Sequence, residues 1–234
     1  MTDGSLDVRL LALILSALPA LACAAPPERI AVQYEMSYNG NVMAEVKDTL
    51  EHDGTSYRIT SEGHGTGIYA LLARGSVSRT SQGSVGAQGL RPAEFRDQRG
   101  DNVVSARFDW AAKTLVQAHR GETESQPLPE RAQDRLSFLW NFAFVPPSGT
   151  SVEAVVADGR GAPVQYRYAI AGKELLKTPA GDIDALHLVK QRDAGDARGT
   201  EIWLDLKRDY VPVRILVVEK DGTRIDQVAT RIGI

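Results

Sequence analysis

Apolar and polar residues alternate along most of the chain, and the alternation begins at residue 30. In IAVQYEMSY, residues 30–38, every second side chain is apolar or aromatic, and the side chains between them are small or polar. Successive side chains of a β-strand point to opposite faces of a sheet, so this period predicts a strand with one buried face. Asn39-Gly40 follows directly and predicts a tight hairpin turn.

The same period recurs to the end of the chain, with turn residues between the segments. Further strands are predicted at 42–51, 56–62, 104–110, 164–170, 183–190, 202–206, 211–217 and 224–232. Short strands joined by hairpins predict a mainly β chain, an antiparallel meander that forms a curved sheet or a partly open β-barrel. Pro212 lacks an N–H group, so we expect it at the start of its strand or on an edge.

Two segments depart from this period and predict helices. A stripe with the spacing i, i+3, i+4, i+7 predicts one buried helix near 131–144. The stripe consists of Leu136, Leu139, Trp140 and Ala143, and Phe138, Phe142 and Phe144 widen it. The segment GIYALLARG predicts a short helix near 67–73. We expect the longer helix to plug or cover an open side of the sheet.

The first 24 residues differ from the rest and predict a secretory signal peptide. Arg9 precedes the uncharged run LLALILSALPALA, and small residues follow at Ala22-Cys23-Ala24. A basic flank, a short apolar run and an A-x-A site are typical of such a signal, and the run is shorter than the ~20 residues of a membrane span. We therefore expect export to the periplasm, with residues 25–234 as a single β-rich domain and no transmembrane segment. The less favoured alternative is a lipoprotein anchored at Cys23.

Charge and cysteine usage exclude several classes of protein. Cys23 is the only cysteine, so a chain cut after Ala24 has no disulfide, no catalytic thiolate and no thiolate metal ligand. Removal of Asp3, Asp7 and Arg9 with the signal leaves 26 basic and 28 acidic residues, a net charge of −2. This balance does not favour nucleic acid or an anionic membrane surface as a partner.

Five blocks of sequence carry a resemblance to a known family. They are RPAEFRDQRG (91–100), FDWAAKTL (108–115), PLPERAQDRLSFLW (127–140), LKTPAGDIDALHL (176–188) and EIWLDLKRDYVPVRI (201–215). In this order they resemble the exported bacterial proteins grouped as domain of unknown function 3108, over nearly all of the mature chain. The resemblance implies a strand-rich, barrel-like envelope protein of a Gram-negative bacterium. It implies no activity, cofactor or catalytic residue.

Candidate catalytic and metal-binding patterns are weak. The four histidines, His52, His64, His119 and His187, show no metal-ligand spacing. The G-x-S-x-G motif of a nucleophile elbow is absent. The sequence therefore predicts no cofactor, no metal and no catalytic residue, and it favours a protein that is not an enzyme without deciding the matter.

The aromatic residues give the most suggestive pattern. Seven of them are candidate lining residues of a ligand pocket: Tyr34, Tyr38, Phe108, Trp110, Trp140, Tyr166 and Tyr168. Curved sheets of eight or more strands can enclose a ligand, although aromatic residues also dominate ordinary cores.

Three functions remain open on this basis. The leading one is a binding or carrier module for a hydrophobic, lipid-like envelope molecule. The alternative is a structural component of the envelope with a solid core, which meets a protein partner through edge strands or the loop 191–199. A hydrolase is third, because the fold would have to form a cleft in which His119 or His187 lies next to a carboxylate and a hydroxyl.

Overall fold

The computed structural model describes residues 26–72, 76–192 and 198–233; the predicted signal peptide and Cys23 lie outside these ranges. The strands are β1 (Arg29–Tyr38), β2 (Asn41–His52), β3 (Ser56–Gly65), β4 (Val77–Gly86), β5 (Gly89–Arg99), β6 (Asn102–Asp109), β7 (Thr114–His119), β8 (Glu122–Pro127), β9 (Ser151–Val156), β10 (Val164–Thr178), β11 (Gly181–Lys190), β12 (Gly199–Asp205), β13 (Pro212–Val218) and β14 (Arg224–Gly233). The helices are α1 (Ile68–Leu72) and α2 (Arg135–Trp140), and a 3₁₀ turn, Asn141–Ala143, continues α2.

All of these strands form one antiparallel sheet, and each runs beside its neighbour in the chain. The last strand, β14, pairs with the first, β1, so the order is β8-β7-β6-β5-β4-β3-β2-β1-β14-β13-β12-β11-β10-β9. The two edges are therefore β8 and β9, which are consecutive strands joined by the segment that contains α2. The predicted curved sheet or partly open barrel is confirmed, and the sheet is not closed.

The predicted alternation places the core. On β1, Ile30, Val32 and Tyr34 are buried, and Gln33 and Glu35 between them are exposed. Full burial of each side chain of this size stabilises the folded state by roughly 1.5–3 kcal/mol. Pro212 begins β13, as its missing N–H group requires.

Helix α2 begins at a capping box. Asp134 Oδ1 accepts hydrogen bonds from Leu136 N at 2.8 Å and Ser137 N at 2.9 Å, and Ser137 Oγ accepts one from Asp134 N at 2.8 Å. These bonds satisfy N–H groups that the first turn of a helix leaves free. The cap fixes the start of the helix at residue 135. The predicted helix near 131–144 is thus confirmed but shorter, because it begins after the cap at Asp134 and ends at Trp140, where the 3₁₀ turn follows.

Helix α2 and the residues before it connect strands β4 and β5 with the edge strand β9. Asp134 accepts a hydrogen bond from Ser81 Oγ on β4, and Ser81 also contacts Tyr57 Oη at 3.0 Å. Gln133 N donates to Val155 O on β9 at 2.8 Å, and Gln133 Nε2 donates to Leu90 O on β5 at 2.9 Å. The helix therefore covers the open side of the sheet, as expected from its apolar circumference.

The loop after β9 approaches β7 and β8 without a β-ladder. Gly159 N donates to Gln117 Oε1 at 3.0 Å, and Gln126 Nε2 donates to Gly161 O at 3.2 Å. Gly159 has φ +81°, and a Cβ there would collide with Val104 and the backbone of Ser105. Glycine is required at this position because the loop must pass so close to β6. Side-chain bonds, rather than a β-ladder, thus draw the two edges of the sheet together.

Removal of the Trp140 side chain tests how much the fold depends on this helix. Trp140 is fully buried, so Trp140→Ala leaves a large cavity and should lower the free energy of unfolding by about 3–5 kcal/mol. Urea denaturation followed by circular dichroism measures the change. Ile68→Ala in α1 is the control, because Ile68 is 66% exposed and its truncation should change stability by under about 0.5 kcal/mol. Equal effects of the two substitutions would contradict a structural role for α2.

Candidate functional site

A cleft of about 890 Å³ lies between α2 and the outer part of the sheet. The β4–β5 hairpin, residues 84–91, forms one wall, and the start of β9, residues 152–155, forms the opposite wall. Phe138, Asn141 and Phe142 contribute to the floor. The other lining residues are Trp110, Lys113, Leu128, residues 130–133 and Gln165. This volume falls within the range of small-molecule sites, which are roughly 300–1,000 Å³.

The hairpin wall is held against the 3₁₀ turn by one amide side chain. Asn141 Oδ1 accepts a hydrogen bond from Leu90 N at 2.7 Å. Gly89 beside it has φ +85°, and a Cβ there would overlap Asn141 and Val145. Residue 89 must be glycine, because a Cβ at this turn would occupy the space that Asn141 needs to accept this hydrogen bond. The cleft wall is therefore fixed relative to its floor.

The floor is aromatic. Phe138 and Phe142 lie one helical turn apart with ring centroids 5.4 Å from each other at 70°. Phe138 also packs against Tyr166 and Tyr168 of β10, at 5.8 Å and 5.6 Å. Edge-to-face and offset contacts at these distances are favourable aromatic geometries. The floor is therefore rigid and apolar, and it belongs to a second core cluster built on β9 to β12.

The β9 wall presents backbone groups to the cleft. Strand β9 pairs with β10 through alternate residues, and the groups of Glu153 and Val155 point away from β10. Val155 O accepts from Gln133 N, and Ala157 N donates to Gln133 O, both at 2.8 Å. Gln133 thus occupies one position of an added parallel strand. The N–H of Val155 and both backbone groups of Glu153 continue that edge along the cleft.

The rim of the cleft is charged. Arg91, Lys113 and Arg131 are lining residues, and so are Glu130 and Glu153. The guanidinium of Arg91 lies 4.5 Å from the ring centroid of Trp110, a cation–π contact. Among these described residues, basic side chains exceed acidic ones by one. A ligand with an apolar body and a polar or weakly anionic end would fit this distribution.

Two carboxyl groups are buried close to residues of α2. Burial raises the pKa of Asp48 on β2 to about 6, although Ser61, Arg79 and Trp140 lower it. The Trp140 Nε1–H lies near this carboxylate without completing a hydrogen bond to it. Burial likewise raises the pKa of Asp134 to about 6, against hydrogen bonds from Ser81, Ser137 and Leu136. Both groups therefore titrate close to neutral pH.

The seven aromatic residues proposed as ligand-lining do not share one wall. Trp110 lies on the wall of the cleft and donates from Nε1 to Pro92 O at 2.7 Å. Tyr34, Phe108 and Trp140 are buried in the main core. Tyr34 also donates from its hydroxyl to Pro212 O at 2.8 Å. The structure thus places these three inside the packing between the sheet and α2.

The other three lie elsewhere. Tyr166 and Tyr168 pack behind Phe138 in the second core cluster. Tyr38 is 44% exposed at the end of β1, and its hydroxyl is 3.5 Å from Thr223 Oγ1. The assignment of all seven as ligand-lining residues stays a prediction. Trp110 is the one of the seven that lines this cleft.

The sequence did not identify the residues that form the floor of the cleft and its β9 wall. Phe138 and Phe142 are four residues apart on the predicted helix, so their common face was available from the sequence. The contribution of Asn141, Gly89 and residues 152–155 was not available, because it depends on how the β4–β5 hairpin meets β9 across the sheet.

Of the two histidines considered for a hydrolase, His187 has side-chain contacts that hold it against neighbouring residues of the sheet. His187 Nε2 is 2.8 Å from Glu201 Oε2, and its ring stacks on Trp203 at 4.3 Å and 8°. Leu186 and Leu188 beside it pack towards the aromatic floor, so His187 projects from the opposite face of the sheet. Within residues 26–72, 76–192 and 198–233, no three His, Cys, Asp or Glu side chains are grouped closely enough to hold a metal. The same ranges contain no helix with the length and apolar character needed to cross a membrane.

The fold and the cleft define an open, antiparallel, barrel-like β protein whose uncovered side is occupied by one helix. The family model described as protein of unknown function (DUF3108) matches residues 33–229, and the chain belongs to this family. The resemblance inferred from the five blocks is thereby confirmed. No curated protein matches the chain.

Solved structures with a similar fold have very different sequences. A β-barrel-like protein of domain of unknown function DUF1849 from Brucella abortus is 7% identical, with a TM-score of 0.57, over 90% of this chain and 99% of that one. A candidate lipoprotein from Parabacteroides distasonis is 10% identical, with a TM-score of 0.38, over 89% and 97% of the two chains. A candidate exported protein with a YmcC-like fold from Bacteroides fragilis is 10% identical, with a TM-score of 0.37, over 90% and 98%. The Brucella protein shares the fold, and the other two scores are too low to support an argument.

The raised pKa values of Asp48 and Asp134 predict the pH dependence of stability. A folded-state pKa above the unfolded one means that the native state holds protons the unfolded state has lost, so stability falls as pH rises through 6. Lowering the pH from 7.5 to 5 should raise the free energy of unfolding by about 1 kcal/mol for each group. Urea denaturation at several pH values measures it.

Asp48→Asn should flatten this dependence, and Asp101→Asn in an exposed turn should leave it unchanged. The opposing effect of Asp97, whose pKa is lowered, falls at more acidic pH and does not obscure the window. Stability that increases between pH 5 and 7.5, or an unchanged slope in Asp48→Asn, would contradict the assignment.

Proposed function

We propose that this protein is a non-enzymatic binding module of the bacterial envelope that carries a hydrophobic, lipid-like molecule in the cleft. The observation that supports the proposal is the 890 Å³ cleft with its Phe138 and Phe142 floor. The interior of the sheet is a poorer candidate, because α2 and the main core occupy it. The cargo would therefore lie beside the helix rather than inside the barrel.

The energetics of such a site are adequate for a carrier. Each methylene group taken out of water contributes about 0.8 kcal/mol, so six of them would contribute about 5 kcal/mol. That corresponds to a Kd of about 0.2 mM before any polar contact at the rim. A carrier benefits from moderate affinity, because it must also release its cargo.

The predicted signal peptide supports a periplasmic location for this activity. A lipid crossing that aqueous compartment has to keep its acyl chain away from water, which is a task for a shielding protein. Anchoring at Cys23 would give the same cleft a fixed position at a membrane surface. Either arrangement is compatible with the cleft.

Native mass spectrometry and lipid extraction of protein purified from its own periplasm test the proposal. We expect a bound apolar molecule, and displacement of a fluorescent fatty acid by it. Val152→Glu puts a charge on the cleft wall and should weaken probe binding by at least about tenfold. Val42→Glu on β2 is the matched control, because Val42 is 47% exposed outside the cleft. A protein that carries no lipid and binds no probe, or equal loss in both variants, would remove the proposal.

The edge of β9 supports a second candidate function, the binding of a polypeptide partner. An extended segment could continue the strand position that Gln133 occupies, with hydrogen bonds to Glu153 and Val155. Alternate side chains of that segment would then face the aromatic floor. This is the protein-interaction alternative, located at one specific edge.

A pair of substitutions at residue 153 separates the two candidates. Glu153→Pro removes the outward N–H group, whereas Glu153→Ala keeps it and removes the same side-chain charge. A partner held by strand addition, identified by cross-linking in the periplasm, should be lost in the proline variant and kept in the alanine variant. Probe binding that survives in both variants while no partner depends on residue 153 would leave only the lipid-like cargo.

A further inference from the structure

Three arginines converge on one carboxylate near the ends of β4 and β5 that lie away from the β4–β5 hairpin. Asp97 on β5 is 2% exposed, and its Oδ2 lies 3.1 Å from Arg99 Nη2. Arg79 Nε on β4 and Arg160 Nη2 in the loop after β9 each lie 3.5 Å from the same oxygen. We name Arg79, Arg99 and Arg160 the arginine cluster.

The cluster has more positive charge than Asp97 can neutralise. Three guanidinium groups around one carboxylate leave a surplus of two charges. Two further charged groups act on Arg79: Arg135, which repels it, and Asp48, which attracts it. One of these two adds a positive charge and the other a negative one, so the surplus of two remains. One arginine would have been sufficient to pair with a buried aspartate.

The cluster also has more hydrogen-bond donors than acceptors. Asp97 accepts hydrogen bonds from Arg99 Nε at 3.2 Å and Arg99 Nη2 at 3.1 Å. Each guanidinium carries five N–H donors. In the part of the chain that the structure describes, the side chains of Arg79 and Arg160 make ion contacts to Asp97 and no other side-chain hydrogen bond. Most of their donors are therefore available to a ligand.

The arginine cluster is reachable from solvent and yet partly desolvated. The side chains of Arg99 and Arg160 are 47% and 36% exposed, and that of Arg79 is 28% exposed. Burial, followed by repulsion from Arg99 and Arg135, lowers the pKa of Arg79. Like charges held this close in a partly dry environment are relieved by a bound anion, since Coulomb interactions strengthen as the dielectric falls.

We propose that the arginine cluster binds a phosphoryl group. Guanidinium groups match the oxygens of phosphate in pairs, and a phosphoryl group carries nearly two negative charges near neutral pH. Arg79 and Arg99 would approach it from the sheet and Arg160 from the loop after β9. The group could be inorganic phosphate or the phosphomonoester headgroup of a phospholipid such as phosphatidic acid. This site does not depend on the cleft or on its cargo.

Titration of the full mature chain with inorganic phosphate, followed by calorimetry and ³¹P NMR, tests the site. We expect saturable binding with a Kd of about 1 mM or tighter that weakens as salt is added. Arg160→Gln, in the loop, should weaken binding by at least about tenfold, and Arg99→Gln should do the same. Arg96→Gln is the matched control, because Arg96 is on the same strand as Asp97 and projects from the opposite face.

A short-chain phosphatidic acid distinguishes the two sources of the group. Equal affinities for this lipid and for phosphate would identify a site for the free ion. Affinity for the lipid at least about tenfold tighter, and lost in Arg160→Gln, would identify a headgroup site. Circular dichroism confirms that each variant is folded, and a variant that does not fold is replaced by the other of the pair. Absence of saturable phosphate binding, or an equal loss in Arg96→Gln, would overturn the proposal.

Discussion

The structure depends on one constraint: the sheet, which has fourteen strands in the part of the chain that the structure describes, does not close, and its open side needs a cover. Helix α2 fulfils this need, although it has only six residues. Its position is specified by polar bonds to three strands, through Asp134 to β4 and through Gln133 to β5 and β9. Its aromatic residues, Phe138 and Trp140, then pack into the two core clusters. Without the helix, the apolar faces of both core clusters would meet water.

The same constraint creates the cleft. Because α2 is short, its far end and the following 3₁₀ turn stop between the β4–β5 hairpin and the edge of β9 instead of filling the gap. Phe138 and Phe142 are thus both core residues and floor residues. If the cleft binds a ligand, this double role couples stability to binding, since a change in the packing of α2 alters the surface of the cleft. The buried carboxyl groups of Asp48 and Asp134 make the packing sensitive to pH as well.

Most of the fold was predictable from the sequence, because a period of two has a direct physical meaning. The alternation in residues 30–38 identified β1 and its buried face, Asn39-Gly40 identified the first turn, and Pro212 marked the start of β13. The site was less predictable. Tyr34 and Phe108 were plausible pocket residues by pattern, and in the structure they belong to the same buried core cluster as Trp140 of α2. Which side of a strand meets a core and which meets a cavity is decided by contacts between distant segments, such as that of Asn141 with Leu90.

Residue-by-residue amide hydrogen exchange, measured by NMR, tests the open cleft most directly. If the edge of β9 is uncovered there, the amides of Glu153 and Val155 exchange rapidly, while those of Val152, Ala154 and Val156 are protected by β10. A ligand in the cleft should then slow exchange at Glu153 and Val155. Uniform protection along β9 in the free protein would show that the edge is already covered, and the account of an open, helix-floored cleft would be wrong.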